Sequence, residues 1–233
     1  MTDDFLDFLA IVRARHCKRA FLDRAVPREV LEEVLRAAAN APSTRNSQPW
    51  RVAVLVGAAR EELVRKLCDD FDRGVPAKHD YANRPPSEGP VEEARARAAG
   101  AGVLAAKGIV RADDDARRAH LRDNQRFYGA PVALIFHLPA DAVPGTFLEM
   151  GLFVQNVLLG LVAVGLGSCP QFSVTAYSDT IREHLGFGPD RLIVCGMAVG
   201  YPDPKATVNA FAPERATLEE YVQWFDGSSS QAG

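Results

Sequence analysis

The stretch from Thr146 to Val164, TFLEMGLFVQNVLLGLVAV, constrains the fold of this chain more than any other. Glu149, Gln155 and Asn156 are its only charged or amide-bearing residues, and they do not gather into a polar stripe. A helix of this composition has no face to turn to water, so protein must enclose it on every side, within one chain or at a subunit interface. It therefore has to be central. Three short apolar runs supply candidate strands to pack around it: Trp50–Val56 (WRVAVLV), Pro131–Leu138 (PVALIFHL) and Arg191–Val199 (RLIVCGMAV). Helical spacing of apolar residues marks segments 3–14, 26–41, 58–71 and 178–186, with a last short helix expected at 216–225. The resulting expectation is an α+β domain in which at least three central strands are surrounded by helices.

No internal repeat or linker divides the 233 residues, so a single domain over 1–226 is expected, with GSSSQAG at 227–233 as a flexible tail. Residues 72–90, DRGVPAKHDYANRPPSEGP, are too rich in proline and charge to pack as a core element. They read as a loop or lid, and 91–126 as two helical pieces broken near Gly108, so that 72–126 forms an insertion or lid region. The charge balance, 27 basic against 30 acidic residues, lacks the cationic excess that binds phosphate backbones, so nucleic acid is not an expected partner. Cysteines at 17, 68, 169 and 195 form no CxxC pair and stand beside no histidine cluster, which predicts neither a metal site nor a disulfide framework, and suits a reducing compartment. The opening MTDDFLDF is acidic where a secretory signal is basic, and the longest unbroken apolar run, Val157–Gly167, is too short to span a bilayer. A cytoplasmic protein without membrane contact is the expectation.

Walker, GxSxG and HExxH motifs are absent. Gly100, Gly102 and Ala105 spell GxGxxA, but a charged, Ala-rich helix precedes them where a dinucleotide fold requires a strand. Asp113, Asp114 and Asp115 read as a solvated helix start and not as a metal site. Two segments offer more. Arg15-His16-Cys17-Lys18-Arg19 concentrates positive charge at the end of the first helix, and if the helix continued, Arg15 and Arg19 would project from one face. Ser43 to Pro49 provides hydroxyl, amide and guanidinium groups with no apolar side chain except proline, which suits either a polar ligand or a loop built from Asx and Ser turns.

Taken in order, RHCKRAF at 15–21, APSTRNSQPW at 41–50, Gly100–Arg111, DNQRFYGAP at 123–131, LGSCPQ at 166–171, Gly200-Tyr201-Pro202, Asn209 and Arg215 resemble the FMN-dependent nitroreductase family in its nitrobenzoate-reductase-like branch. The resemblance runs from about residue 5 to 225. It implies a nitroreductase-like fold, with a mainly antiparallel sheet surrounded by helices in an intertwined homodimer, and FMN sites at the subunit interface. By the same resemblance Arg15 holds the FMN phosphate with His16 and Cys17 beside it, and Arg215 is a second phosphate-binding arginine. Cys17 departs from the family's usual serine, and Ala212 from a further arginine. Arg19 corresponds to a cation near the flavin N1 and O2 edge. Pro42, Ser43, Thr44 and Asn46 correspond to positions reaching the flavin from the second subunit, and Asn124 to an amide on the pyrimidine edge. Pro170, Gln171, Phe172 and Ser173 correspond to backbone over one flavin face, with the N–H of Phe172 or of Ser173 directed at N5.

The implied activity is ping-pong: NADPH or NADH reduces FMN, and a nitroaromatic, nitrobenzoate-like or quinone acceptor then takes two electrons. No side chain is required as nucleophile or general base, so no catalytic residue is assigned beyond the flavin itself. Tyr81, Arg84, Phe127 and Tyr128 are candidates to line the substrate cleft, although for Arg84 the plainer reading is a solvated loop charge. The same resemblance leaves open a flavin-fold enzyme acting on another bond, by dehalogenation or enone reduction, and a catalytically silent flavin-binding protein.

Overall fold

A computed structural model of the chain describes residues 2–225, so the tail expected at 227–233 lies outside the described residues. Four strands form one sheet: β1 (Arg51–Val56), β2 (Val132–Pro139), β3 (Gly167–Gln171) and β4 (Arg191–Gly200). Their spatial order is β1-β2-β4-β3, and each neighbouring pair is antiparallel. The central strand β2 is buried on both faces along nearly its whole length, which explains why its sequence is continuously apolar instead of alternating.

Seven helices surround the sheet: α1 (Asp3–Ala14), α2 (Arg28–Ala38), α3 (Gly57–Asp72), α4 (Pro90–Ala106), α5 (Asp114–Gln125), α6 (Pro144–Ala163) and α7 (Ser178–Leu185). Leu31 and Val34 of α2 and Met150, Phe153, Val157 and Leu161 of α6 cover one face, meeting Val132, Leu134 and Phe136 of β2. Leu63 and Leu67 of α3 and Ile181 of α7 cover the other, against Ala133, Ile135 and Ile193. A bulge at the Phe136/His137 step inserts one extra residue into β4, so Ile193 and Ala198 share a face although their numbers differ in parity. Gly160 lets α2 and α6 close up, since a Cβ there would lie 3.1 Å from Val34 Cγ1.

The structure adds detail to these expectations and overturns one of them. The fourth strand, β3, was not anticipated as a strand: GSCPQ carries a glycine and a proline, and it is viable because β3 lies at the sheet edge, where a missing N–H costs no ladder bond. The first helix does not continue through Arg19. Arg15 is already extended (φ −71°, ψ 101°), and the following residues pair sideways, Lys18 N–H donating to the Ser168 carbonyl at 2.9 Å and Leu22 N–H to Tyr201 at 2.9 Å. In place of a helix at 216–225 there is a single 3-10 turn at Leu218–Glu220. Within one chain α6 is not enclosed all round: Leu148 is 68% exposed and Leu152 40%. By length and composition alone α6, with 20 residues, is long and apolar enough to cross a membrane. Its packing against α2 and the sheet makes it a core helix of this fold.

Candidate functional site

The basic run, helices α4 and α5 and the C-terminal segment enclose a cavity of about 300 Å³. Arg15, His16, Cys17 and Arg19 line it from the extended segment after α1, Asn124 and His120 from α5, Tyr128 from the following turn, and Phe211, Pro213 and Arg215 from the far end of the chain. No lining residue is a carboxylate, whereas three are arginines. Such a cavity favours an anion.

Asn209 ties the two ends of the chain together at this point. Its Oδ1 accepts from Arg19 N–H at 2.7 Å, its Nδ2 donates to the Ala20 carbonyl at 2.7 Å, and its own carbonyl accepts from Lys18 Nζ at 2.9 Å. His16 Nε2 lies 2.6 Å from Lys18 Nζ and 2.9 Å from that same carbonyl. The other imidazole nitrogen, Nδ1, is buried without a partner, as is Nδ1 of His120. Burial, and then the Lys107 charge, push the His120 imidazole towards its neutral form. Buried polar atoms left unpaired in an arginine-lined cavity are what a site for a polar, negatively charged group presents in the absence of that group.

Electrostatics single out Cys17. The neighbouring Cys169 thiol lowers its pKa to about 6 against the opposing effect of burial, with the Arg19, Arg15 and Arg215 charges adding to the shift. Burial pushes Tyr128 well above the ordinary tyrosine range. Its hydroxyl donates to Asn124 Oδ1 at 2.6 Å, and Ser173 Oγ donates to the same oxygen at 3.2 Å. Gln171 Nε2 donates to the Asn124 carbonyl at 2.8 Å, and Gln171 Oε1 is buried and unpartnered. Asn124 thus connects the cationic cavity to the end of β3.

A second cavity, of about 400 Å³, opens there and is lined by Pro170, Gln171 and Phe172 together with Tyr81 and Phe147. It is aromatic. Phe172 stacks on His79 at 4.4 Å and meets Tyr81 edge-on at 5.3 Å, while Tyr81 donates its hydroxyl hydrogen to the Val194 carbonyl at 2.9 Å.

Of the residues singled out from sequence, Arg15, His16, Cys17, Arg19, Asn124 and Arg215 meet at the first cavity. Pro170, Gln171 and Phe172 meet at the second, and Ser173 joins them through Asn124. Pro42, Ser43, Thr44 and Asn46 line neither. Their loop sits on α6, where Thr44 N–H donates to Glu149 Oε1 at 2.7 Å and Ser43 Oγ accepts from Gln48 N–H at 3.0 Å. This contact accounts for the buried carboxylate in an otherwise apolar helix. Arg45, Asn46 and Gln48 all have positive φ (55°, 57° and 45°), a conformation that side-chain-bearing residues adopt at a cost of order 1–3 kcal/mol each. The loop is therefore held in a specific shape and is not a loose connection. Phe127 is fully buried and lines no cleft, and Arg84 lies on a separate surface depression beside Pro85 and Glu88. Tyr128, named from sequence as a cleft residue, lines the arginine cavity, whereas sequence reasoning missed His120 and Phe211 there. A signal for His120 existed, since it stands four residues before Asn124 and so shares its helix face.

Known proteins resemble this chain along nearly its whole length. The chain is 35% identical to the chloronitrobenzene nitroreductase of Comamonas testosteroni over 95% of its length and 97% of that protein. It is 32% identical to the 4-nitrobenzoate reductase of Pseudomonas putida, covering 94% and 95%. Among solved structures, the FMN-dependent nitroreductase of Mycobacterium smegmatis in complex with NADPH superposes with a TM-score of 0.90 at 32% identity, covering 95% of this chain and all of that one. The profile of the Nitroreductase family matches residues 12–201, which span the whole sheet and most of the cationic cavity, and the chain belongs to that family.

Proposed function

We propose that this protein is an FMN-dependent NAD(P)H oxidoreductase that reduces nitroaromatic acceptors, with quinones as further acceptors, and works as a homodimer. The observation that carries the reading is the cavity with three arginines, no carboxylate and two unpaired buried imidazole nitrogens. FMN, when bound there, would supply the redox chemistry between NADPH or NADH and the acceptor. Arg15 and Arg215 hold the phosphate, His16 contributes from the same wall, and Cys17 takes part through its backbone N–H, since a thiol is a weak donor. Arg19 places positive charge where reduction makes the cofactor anionic. Asn124, held by Tyr128, Ser173 and Gln171, orients the pyrimidine edge, while the backbone from Pro170 to Ser173 presents an N–H, from Phe172 or Ser173, to N5. No protein side chain acts as nucleophile or general base.

Two features support a dimer. All of α1 is without a buried residue although it carries Phe5, Leu6, Phe8 and Val12, and Leu148 and Leu152 of α6 are exposed. The strained loop of Pro42, Ser43, Thr44 and Asn46 reaches no cavity of its own chain and is shaped to complete the site of a second copy. The 72–126 region, helical in α4 and α5, acts as the cover of the cavity and of its aromatic neighbour. Four free cysteines suit a cytoplasmic location.

The test is the visible absorption spectrum of the purified protein, taken before and after anaerobic NADPH and then NADH. A flavin spectrum that bleaches with either nucleotide is the expected result, followed by reoxidation on adding nitrobenzoate. A protein that stays colourless after incubation with FMN overturns the reading.

A further inference from the structure

We propose that Cys17 and Cys169 form a peroxide-sensitive thiol pair in the wall of the anion cavity, closing to a disulfide when no phosphate group occupies that cavity. The pairing is built into the backbone. Lys18 N–H donates to the Ser168 carbonyl at 2.9 Å, and the Lys18 side chain packs where a Cβ on Gly167 would fall 2.7 Å from its Cγ. The extended segment therefore runs beside the free edge of β3, and Cys17 and Cys169 are the next residues along on each side. Cys169 belongs to the apolar cluster on this side of the sheet, and Cys17 packs against the same cluster. Residues opposed in this manner have Cα atoms about 4.5–5.5 Å apart, within the span a disulfide bridges without moving backbone.

The two sulfurs differ in access and in charge. Cys17 lines the cavity and is reachable by small solutes, whereas Cys169 is buried. The neighbouring Cys169 thiol, with the arginine charges, lowers the Cys17 pKa to about 6, which favours its thiolate, while Cys169 itself is pushed in the opposite direction. The groups facing Cys17 are Arg15 and Arg19 from its own segment, Cys169 from β3, Arg215 from the C-terminal segment, and His120 and Tyr128 across the cavity. None is an acid that would oppose ionisation. Cys195, by contrast, is pushed up to about 12 by burial, and burial raises Cys68 as well, so both stay unreactive.

The chemistry balances with a hydroperoxide as oxidant. The Cys17 thiolate attacks the distal peroxide oxygen; the O–O bond breaks, the alcohol leaves with a proton from solvent, and Cys17 becomes a sulfenic acid. The Cys169 sulfur then attacks that sulfur, forming the S–S bond and expelling water, with two electrons passed in total from the thiol pair to the peroxide. The dependence on an empty cavity rests on the cofactor reading above. A phosphate beside Cys17 adds negative charge that opposes the thiolate and covers the approach to it.

The experiment treats cofactor-stripped and FMN-reconstituted protein with hydrogen peroxide at several pH values, blocks remaining thiols, and maps cysteines by non-reducing peptide mass spectrometry. The expected result is a Cys17–Cys169 linked peptide in the stripped protein, formed at a rate that rises with pH through about 6, while Cys68 and Cys195 stay free. C17S abolishes the link, and FMN slows it about tenfold near neutral pH, the change expected if phosphate moves the thiol from mostly ionised to mostly neutral. Sulfinic acid on Cys17 with Cys169 still free, or a link through Cys68 or Cys195, overturns the proposal. If the link forms and bound FMN fails to slow it, the thiol pair stands while its control by phosphate falls. If FMN binds and no link forms, the cofactor reading stands and the thiol pair falls.

Discussion

Arg15, Arg19 and Arg215 converge although 200 residues separate the first from the last, and what each contributes can be measured singly. Arg15→Ala removes a charge-assisted contact worth about 1.5–3 kcal/mol, so FMN is expected to bind about 10- to 100-fold more weakly while riboflavin, which has no phosphate, binds as before. Flavin fluorescence titration separates the two. Equal losses for both ligands would take Arg15 away from the phosphate. At the opposite end of the molecule, His137 shows a residue kept neutral by its surroundings. Burial, then the Arg191 and Arg51 charges, lower its pKa from 6.5 to about 4, and its ring packs on Phe187 at 4.4 Å. Because the folded-state value is depressed, the associated stability is fully present above 6.5 and is lost as pH falls through about 4. Replacing His137 with Gln is expected to flatten the acid limb of a urea-unfolding series by about 1–2 kcal/mol, allowing for solvent screening. An unchanged limb would place acid sensitivity elsewhere. These two residues also differ in legibility. Arg15 is announced by its motif, as are His16, Arg19, Asn124 and Arg215, whereas His120 shows only indirectly, through its four-residue spacing from Asn124 on the same helix.

Elements were legible where burial writes a period into the sequence. The run PVALIFHL declares β2 because a strand covered on both faces admits apolar residues at every position, and α2 and α3 show their inward stripes at helical spacing. Where the sequence carries no period, a tertiary contact decided the conformation. Segment 15–22 became extended because carbonyls of β3 and of the residues after β4 offered partners, and β3 itself became a strand by pairing with β4. Gly102 carries a related lesson. Its GxGxxA setting was a coincidence of spelling, yet the glycine is needed, since a Cβ would lie 2.3 Å from the Phe211 ring. That contact seats the C-terminal segment bearing Arg215 on α4. Gly102→Val is expected to cost about 1–3 kcal/mol by overpacking and to weaken FMN binding in parallel, checked by thermal melts with and without FMN. Lost stability with FMN affinity intact would show that Arg215 is positioned independently of α4.

For the whole molecule, the exposed apolar faces of α1 and α6 and the outward strained loop are the features on which the proposed dimer rests. Leu148→Asp places a charge on the exposed stripe of α6 without touching the core beneath it. The expected outcome is a monomer by light scattering that no longer retains FMN through gel filtration. A monomer that keeps its flavin would show that the second copy contributes no ligand. The clasp at Asn209 has a different consequence, in the time domain of synthesis. Its carbonyl and amide hold Lys18, Arg19 and Ala20, so a segment made before all four strands is clasped by a residue made after them. All four strands are complete by Gly200. A nascent chain halted just beyond β4 therefore already has the means to form its sheet but has no anion site, and a premature stop before residue 209 should yield a protein with sheet structure and no colour.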